Sequence, residues 1–306
     1  MTNTTTNTTT NTTTNTMAST QPTTRPATAA DTREGGLVLV LGGTGKTGRR
    51  VVERLEALDV PVRMGSRSAD PRFDWTDGTT WAPVLRGVEA VYLSYYPDLA
   101  APGAPEAIGA FTAAAAAAGV RRVVLLSGRG EEEAQACERA VQDSGLEWTV
   151  VRAAWFAQNF SEDYLLDPVR AGEVVLPAGD VPEPFADADD IADVAVAALT
   201  RDGHAGEVYE VTGPRALTFA EAVAEIGRAA GREIAYVRAG ADDYAAALKE
   251  HGLPGEVIGL LTYLFTTVLD GRNAEPADGV RRALGREARD FSAYARETAA
   301  TGIWTA

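Results

Sequence analysis

Apolar residues in this chain fall into short runs separated by longer stretches of helical periodicity. The first run, Leu37-Val38-Leu39-Val40-Leu41, is too short for a helix and ends in Gly42-Gly43-Thr44-Gly45-Lys46-Thr47-Gly48. Val51, Val52, Leu55 and Leu58 then recur on one helical face, with Arg49, Arg50, Glu53 and Arg54 on the other. Residues 60–64 read as a second strand, 73–75 (Phe-Asp-Trp) as a short third, 88–94 as a fourth, 121–127 as a fifth and 148–152 as the next. Between them lie helical patterns at 80–86, 105–119 (closed by a glycine cap) and 131–144. Such alternation predicts an α/β fold: parallel strands with helices on both faces of the sheet.

Beyond residue 152 the pattern changes. Residues 153–160 are aromatic and amide-rich (Trp155, Phe156, Gln158, Asn159, Phe160), and 177–184 form a proline-punctuated acidic loop. Asp187, Asp189 and Asp190 read as the cap and first-turn acids of a helix running to Leu199. A strand at 207–211 follows, then a helix at 219–230 opened by Thr218 with Glu221 at the capping-box position. Helical segments fill the chain to about residue 300, and the apolar stretch 253–270 suits either a wall or a dimer surface.

The chain has 306 residues, 45% hydrophobic, enough for one large core or a core with an appended lobe. No apolar run approaches the ~18 residues of a membrane span. A net charge of -15 argues against a nucleic-acid surface. Cys137 is the single cysteine, and His204 and His251 are far apart, so neither a disulfide framework nor a metal site is expected and the default compartment is cytoplasmic. Residues 1–36, built largely of Asn-Thr repeats without a secretory pattern, are expected to be disordered and to lie outside the fold.

The glycine run carries the first chemistry. Gly42 suits the tight turn out of the strand, Gly45 lets a phosphate approach the backbone, and Gly48 lets the following helix pack closely on the strand. The helix's first-turn N–H groups then face an anion. The spacing is GxxGxxG, neither GxGxxG nor a Walker loop; an ordinary tight turn is the competing reading. After the second strand stand Gly65, Ser66, Arg67 and Ser68, with no carboxylate before Asp70. That composition favours NADP(H), Arg67 forking the 2′-phosphate and Ser66 adding a hydroxyl, over a merely solvated arginine. Asp74 and Trp75 suit either an adenine contact or a turn aspartate beside a core tryptophan. Tyr95 and Tyr96 leave the carboxyl edge of the sheet, as pocket wall or as half-buried residues.

Together these segments resemble the NmrA-like family of atypical short-chain dehydrogenases/reductases over about residues 37–300. The carriers are the 42–48 loop, Val62 to Arg67, Gly87-Val88-Glu89-Ala90-Val91-Tyr92-Leu93, Val120 to Ser127, Ser144-Gly145-Leu146 with Thr149 to Arg152, Asn159-Phe160 and Asp190-Ile191-Ala192-Asp193. The Thr-Gly-Lys-Thr-Gly loop and Phe-Asp-Trp segment look most like the branch that contains agroclavine dehydrogenase and its bacterial relatives. The resemblance implies a Rossmann-type doubly wound parallel sheet, with 37–152 as the NADP-binding core and 153–306 completing the sheet and forming a smaller, mostly helical substrate lobe. It further implies that Gly42, Thr44, Gly45, Lys46, Thr47 and Gly48 line the pyrophosphate, Ser66 and Arg67 the 2′-phosphate, and Asp74 and Trp75 the adenine. Ser94, Tyr95, Ser127 and Gly128 would follow the ribose and nicotinamide, and Trp155, Phe156 and Asn159, joined by Tyr96, would border the substrate.

One departure from the short-chain pattern matters. The Tyr-x-x-x-Lys dyad that exchanges a proton with a carbonyl is missing from the helix after the fifth strand, where Gly128-Arg129-Gly130-Glu131-Glu132-Glu133-Ala134-Gln135 stands. The expected activity is therefore NADPH-dependent hydride transfer to a small imine-, iminium- or quinone-like molecule, with Ser127 or Tyr95 as proton-donor candidates. The alternative is an NADP(H)-binding sensor without turnover.

Overall fold

Six strands pair in parallel throughout one sheet, in the order β2-β1-β3-β4-β5-β7. The computed structural model describes residues 1–2 and 36–305; the rest of the Asn/Thr-rich tail, expected to be disordered, lies outside the described residues. In chain order the elements are β1 (Leu37–Leu41), α1 (Lys46–Ala57), β2 (Val62–Gly65), α2 (Trp81–Leu85), β3 (Val88–Leu93), α3 (Ala104–Ala117), β4 (Arg122–Gly128), α4 (Glu132–Gln142) and β5 (Glu147–Ala153). There follow α5 (Asn159–Glu162), α6 (Leu166–Ala171), β6 (Glu173–Leu176), α7 (Ala188–Thr200), β7 (Glu207–Val211), α8 (Phe219–Ala230) and β8 (Ala235–Arg238). Last come α9 (Ala241–Glu250), α10 (Gly255–Tyr263), α11 (Gly279–Leu284) and α12 (Phe291–Ala300).

The strands are near-continuous apolar runs because both faces are covered. Leu39, Leu41, Val91, Leu93, Leu125 and Val150 pack with Ile108 and Phe111 of α3 and Val141 of α4. Val38, Val40, Tyr92, Val124 and Val151 pack on the opposite face with Val51 and Leu55 of α1 and Ile191 and Val194 of α7. Ten of the 13 residues of α7 are buried, so this helix is apolar nearly all round, held between the sheet and the outer helices α1 and α11. The chain winds outward from β1 to β2 and then crosses back to β3, which puts the topological switch point between β1 and β3.

Two expectations change. Residues 73–75 are not a strand: Phe73 N donates to the Ser66 carbonyl at 2.9 Å, and Asp74 folds the chain into a turn by accepting from Thr76 N at 3.0 Å. Local side-chain bonds compete successfully with the ladder here. The apolar signal was real, since Phe73 is buried, but it serves the core rather than the sheet edge. The stretch after residue 230, expected to be helical to about residue 300, also holds a strand: in a lobe that is mostly helical, β8 pairs with β6 in parallel, in register Glu173↔Ala235 to Leu176↔Arg238. Each strand has only four residues, too few to show a period. The lobe's own core gathers Phe160, Phe185, Phe219, Phe265 and Phe291. The capping box at Thr218 and Glu221 is present, with both reciprocal bonds made.

A buried polar chain ties β4, α4, β5 and β7 together. Glu138 is 2% exposed and receives Arg152 Nη2 at 2.6 Å, while Arg152 Nη1 reaches Glu210 at 2.9 Å and Arg129 Nε reaches the same carboxylate at 3.0 Å. Arg152→Met keeps the aliphatic volume but leaves Glu138 without its cation. It should cost about 3–5 kcal/mol in urea unfolding; a loss below ~1 kcal/mol would show that the pair does not hold this region.

Candidate functional site

The crevice begins where the loops after β1 and β3 touch. Gly42 has a positive φ of 70°, and a methyl added there would lie 3.3 Å from Cβ of Ser94. Gly45 N donates to the Gly42 carbonyl at 2.9 Å, closing the turn. At Gly48 a side chain is excluded: its Cβ would overlap the Gly42 carbonyl oxygen and stand 2.7 Å from the carbonyl carbon. The start of α1 has no side-chain cap and no acid in its first turn, so its N–H groups and dipole are left to an anion. Lys46 opens this helix, salt-bridged to Asp163 and 6.0 Å from the centre of the Phe156 ring. Thr47, expected along the pyrophosphate, has a buried side chain whose hydroxyl accepts from Tyr92 Oη at 2.9 Å. This cradle fits a pyrophosphate.

At the end of β2, Ser66 and Ser68 hydroxyls lie 3.3 Å apart and Arg67 is exposed, its guanidinium 6.0 Å from the Tyr96 ring centre. Exposed Tyr96, expected to border the substrate, stands beside Arg67. A cation beside hydroxyls, without a carboxylate, suits a 2′-phosphate. Asp74 is largely committed to the local turn: hydrogen bonds from the Thr76 backbone and hydroxyl, then Arg72, hold its carboxyl below the usual carboxylate range. Trp75 is half-buried against Tyr95, with ring centres 4.7 Å apart, and against Phe73 and Phe111.

Neither proton-donor candidate is poised for that work. Ser127 is 3% exposed and donates to Glu138 Oε1 at 2.6 Å, so its proton is held within the buried polar chain. Burial, with Cys137 nearby, pushes the Tyr95 phenol up, the opposite of the shift a lysine-paired tyrosine shows. Gly128 ends β4 with the carboxyl group of Glu131 folded over it. In the sequence Glu131 reads only as the start of a helix. Its proximity to the sheet edge depends on how one side chain bends back, a property without a spacing signature.

At the far end Trp155 and Phe156 follow β5. Trp155 is half-buried, packs on Phe265 and Phe219 with ring centres 4.8 and 5.3 Å away, and donates Nε1–H to Tyr164 Oη at 3.3 Å. Phe265 comes from the apolar stretch 253–270, which thus supplies a wall of the lobe. Beneath Trp155, burial pushes the Glu183 carboxyl up to about 7 while it accepts from Trp155 N at 3.2 Å. Asn159 is half-buried at the start of α5, and its side-chain amide makes no hydrogen bond among the described residues. Asp187 and Asp190, expected as helix-start acids, do more than cap α7: Asp187 accepts from Asp189 N, and both are buried and ion-paired, with Arg289 at 2.8 Å and Arg286 at 2.7 Å.

A doubly wound parallel sheet with an open helix N-terminus at its switch point defines an NAD(P)H-binding α/β protein. Residues 42–202 match the family model described as NAD(P)H-binding. The chain is 31% identical over 288 residues to an NAD(P)H azoreductase of Xenophilus azovorans, covering 86% of this chain and 98% of the relative. It is also 31% identical over 290 residues to agroclavine dehydrogenase of Claviceps fusiformis, covering 87% and 98%. Among solved structures it resembles an NADPH-dependent quinone oxidoreductase of Escherichia coli complexed with NADPH, with 24% identity, a TM-score of 0.72 and coverage of 85% and 99%. It shares the fold of NmrA, a negative transcriptional regulator solved with NADP, at 17% identity and a TM-score of 0.70, covering 89% and 97%. The chain belongs to the NmrA-like family of atypical short-chain dehydrogenases/reductases, and its cofactor is NADP(H).

Gly48→Ala forces the helix and the turn apart at the phosphate cradle. It should weaken NADPH binding, followed by nucleotide fluorescence, by about tenfold or more, equivalent to ~1.4 kcal/mol; unchanged affinity would remove the close approach from the account of binding.

Proposed function

We propose that the protein is an NADPH-dependent reductase of small, planar, aromatic or heterocyclic electrophiles of the imine, quinone or azo kind. The carrying observation is that the phosphate cradle at α1 and the aromatic wall around Trp155 occupy the same carboxyl edge of one sheet. NADPH supplies the hydride when bound. In this reading the N–H groups at the start of α1 and Lys46 hold the pyrophosphate, and Arg67 with Ser66 holds the 2′-phosphate. Ser94, Tyr95 and Gly128 border the ribose and nicotinamide. Trp155 offers a flat face for stacking, and the uncommitted amide of Asn159 can fix a polar group of the acceptor.

The lack of a Tyr-x-x-x-Lys dyad favours acceptors that need little help with proton transfer. An iminium already carries its charge and becomes a neutral amine on gaining hydride. The names of the azoreductase, agroclavine dehydrogenase and quinone oxidoreductase agree in chemical type with this range. A second reading, an NADP(H)-occupancy sensor, is favoured by the shared fold with the regulator NmrA.

Purified protein should oxidise NADPH in stoichiometric amounts with at least one imine, quinone or azo acceptor. Silence across all three classes, together with partner binding that depends on cofactor redox state, would establish the sensor instead. Arg67→Ala should weaken NADPH binding about tenfold or more while leaving NADH little changed. Equal losses for both cofactors would refute the 2′-phosphate role.

A further inference from the structure

Because Gly128 has no side chain, the carboxyl group of Glu131 can lie back over the end of β4; a methyl on Gly128 would stand 2.5 Å from Glu131 Cδ. The C-terminal lobe closes on the same loop. Arg272 Nη1 donates to the Gly130 carbonyl at 3.1 Å and Asn273 Nδ2 to the Arg129 carbonyl at 3.0 Å. Two residues beyond Glu131, Glu133 accepts from the lobe's Tyr263 Oη at 2.7 Å. Glu131 thus stands at the carboxyl edge of the sheet, where core and lobe meet.

Half-buried Glu131 differs from the buried acids in its partners. Glu138 has Arg152, Asp187 has Arg289 and Asp190 has Arg286. Glu183 lacks an ion pair but is 3% exposed and receives the Trp155 N–H. Among the described residues Glu131 has neither a cation nor a donor. The groups around it are Asp98 from the loop after β3, Glu133 on its own side, and Tyr263 from the lobe. Cys137 lies beyond Asp98, and Arg272 beyond Tyr263 is bonded to Asp270 at 2.7 Å. Burial first, then Asp98 and Glu133, pushes the Glu131 carboxyl up to about 8, so it carries a proton at neutral pH.

We infer that Glu131 is the proton donor of the reduction, serving in place of the absent tyrosine. The inference rests on the reductase reading above. The acceptor gains two electrons and a hydrogen as the C4–H bond of the dihydronicotinamide breaks, and its oxygen or nitrogen takes the proton as the Glu131 O–H bond breaks. NADP⁺ is released and solvent returns a proton to the carboxylate. An iminium acceptor uses the first half alone.

Glu131→Gln should therefore lower kcat with a quinone about 100-fold but with a preformed iminium less than about threefold. NADPH affinity within about threefold of wild type would show the variant folded. Wild-type turnover of the quinone should fall as pH rises through about 8. A second readout uses the protein without cofactor. The folded state holds a proton that the unfolded chain releases at ordinary carboxylate pH, so Glu131 supports folding at low pH and loses that support as pH climbs towards about 8. Between about pH 5 and 8 the wild-type folding constant should fall about tenfold more per pH unit than that of Glu131→Gln. Equal pH slopes, or equal quinone rates in an active wild type, overturn the proton-donor role. A wild type that oxidises NADPH with neither acceptor overturns the reductase reading itself and the donor role with it.

Discussion

The close approach of two peptide segments governs this molecule. Gly48 lies so near the Gly42 carbonyl that no side chain fits between them, and α1 consequently starts hard against the end of β1. That contact fixes the direction of the helix, and the direction fixes two further things. Its first turn presents uncapped N–H groups at the switch point of the sheet, and its later turns present Arg49, Arg50 and Arg54 to the rest of the chain. Ser94, after β3, completes the arrangement by closing on Gly42 from the other side of the crevice.

Much of this was legible in sequence because it depends on local rules. Short apolar runs between helical patterns give a doubly wound sheet, and only glycines permit the turn after β1. The Thr218–Glu221 box announces its helix by spacing alone. The misreadings share one physical origin, competition settled at a distance or by a single side chain. Phe73 has strand-like character but is drawn into the core by Trp75 and Phe111 while Asp74 turns the backbone. Tyr95 and Tyr96 are adjacent in the chain yet meet different partners, Trp75 and Arg67, each brought in from another loop. Ser127 occupies a plausible position for chemistry, but its hydroxyl goes to Glu138, 11 residues on, for reasons of burial.

The charge count conceals a division of labour. Acids outnumber bases by 43 to 28, yet the buried acids that hold the fold are matched one by one to arginines. Desolvating a carboxylate is tolerable when a guanidinium comes with it and strongly unfavourable when none does. An acid left unmatched at a buried position therefore changes its protonation rather than its structure. Buried Glu183 is raised to about 7, and half-buried Glu131, beside Asp98 and Glu133, to about 8.

The arginines of α1 also have a mechanical meaning. Arg49 and Arg50 hold Glu162, Arg50 and Arg54 hold Asp189, Arg54 reaches Asp193, and Lys46 holds Asp163. The helix whose first turn is left open to an anion is thus the same rod to which the Trp155–Glu162 corner of the lobe is fastened. One helix thereby carries both the open first-turn N–H groups and the ion pairs that fasten this corner. Those pairs form an ionic fastening whose grip loosens as salt screens its exposed members.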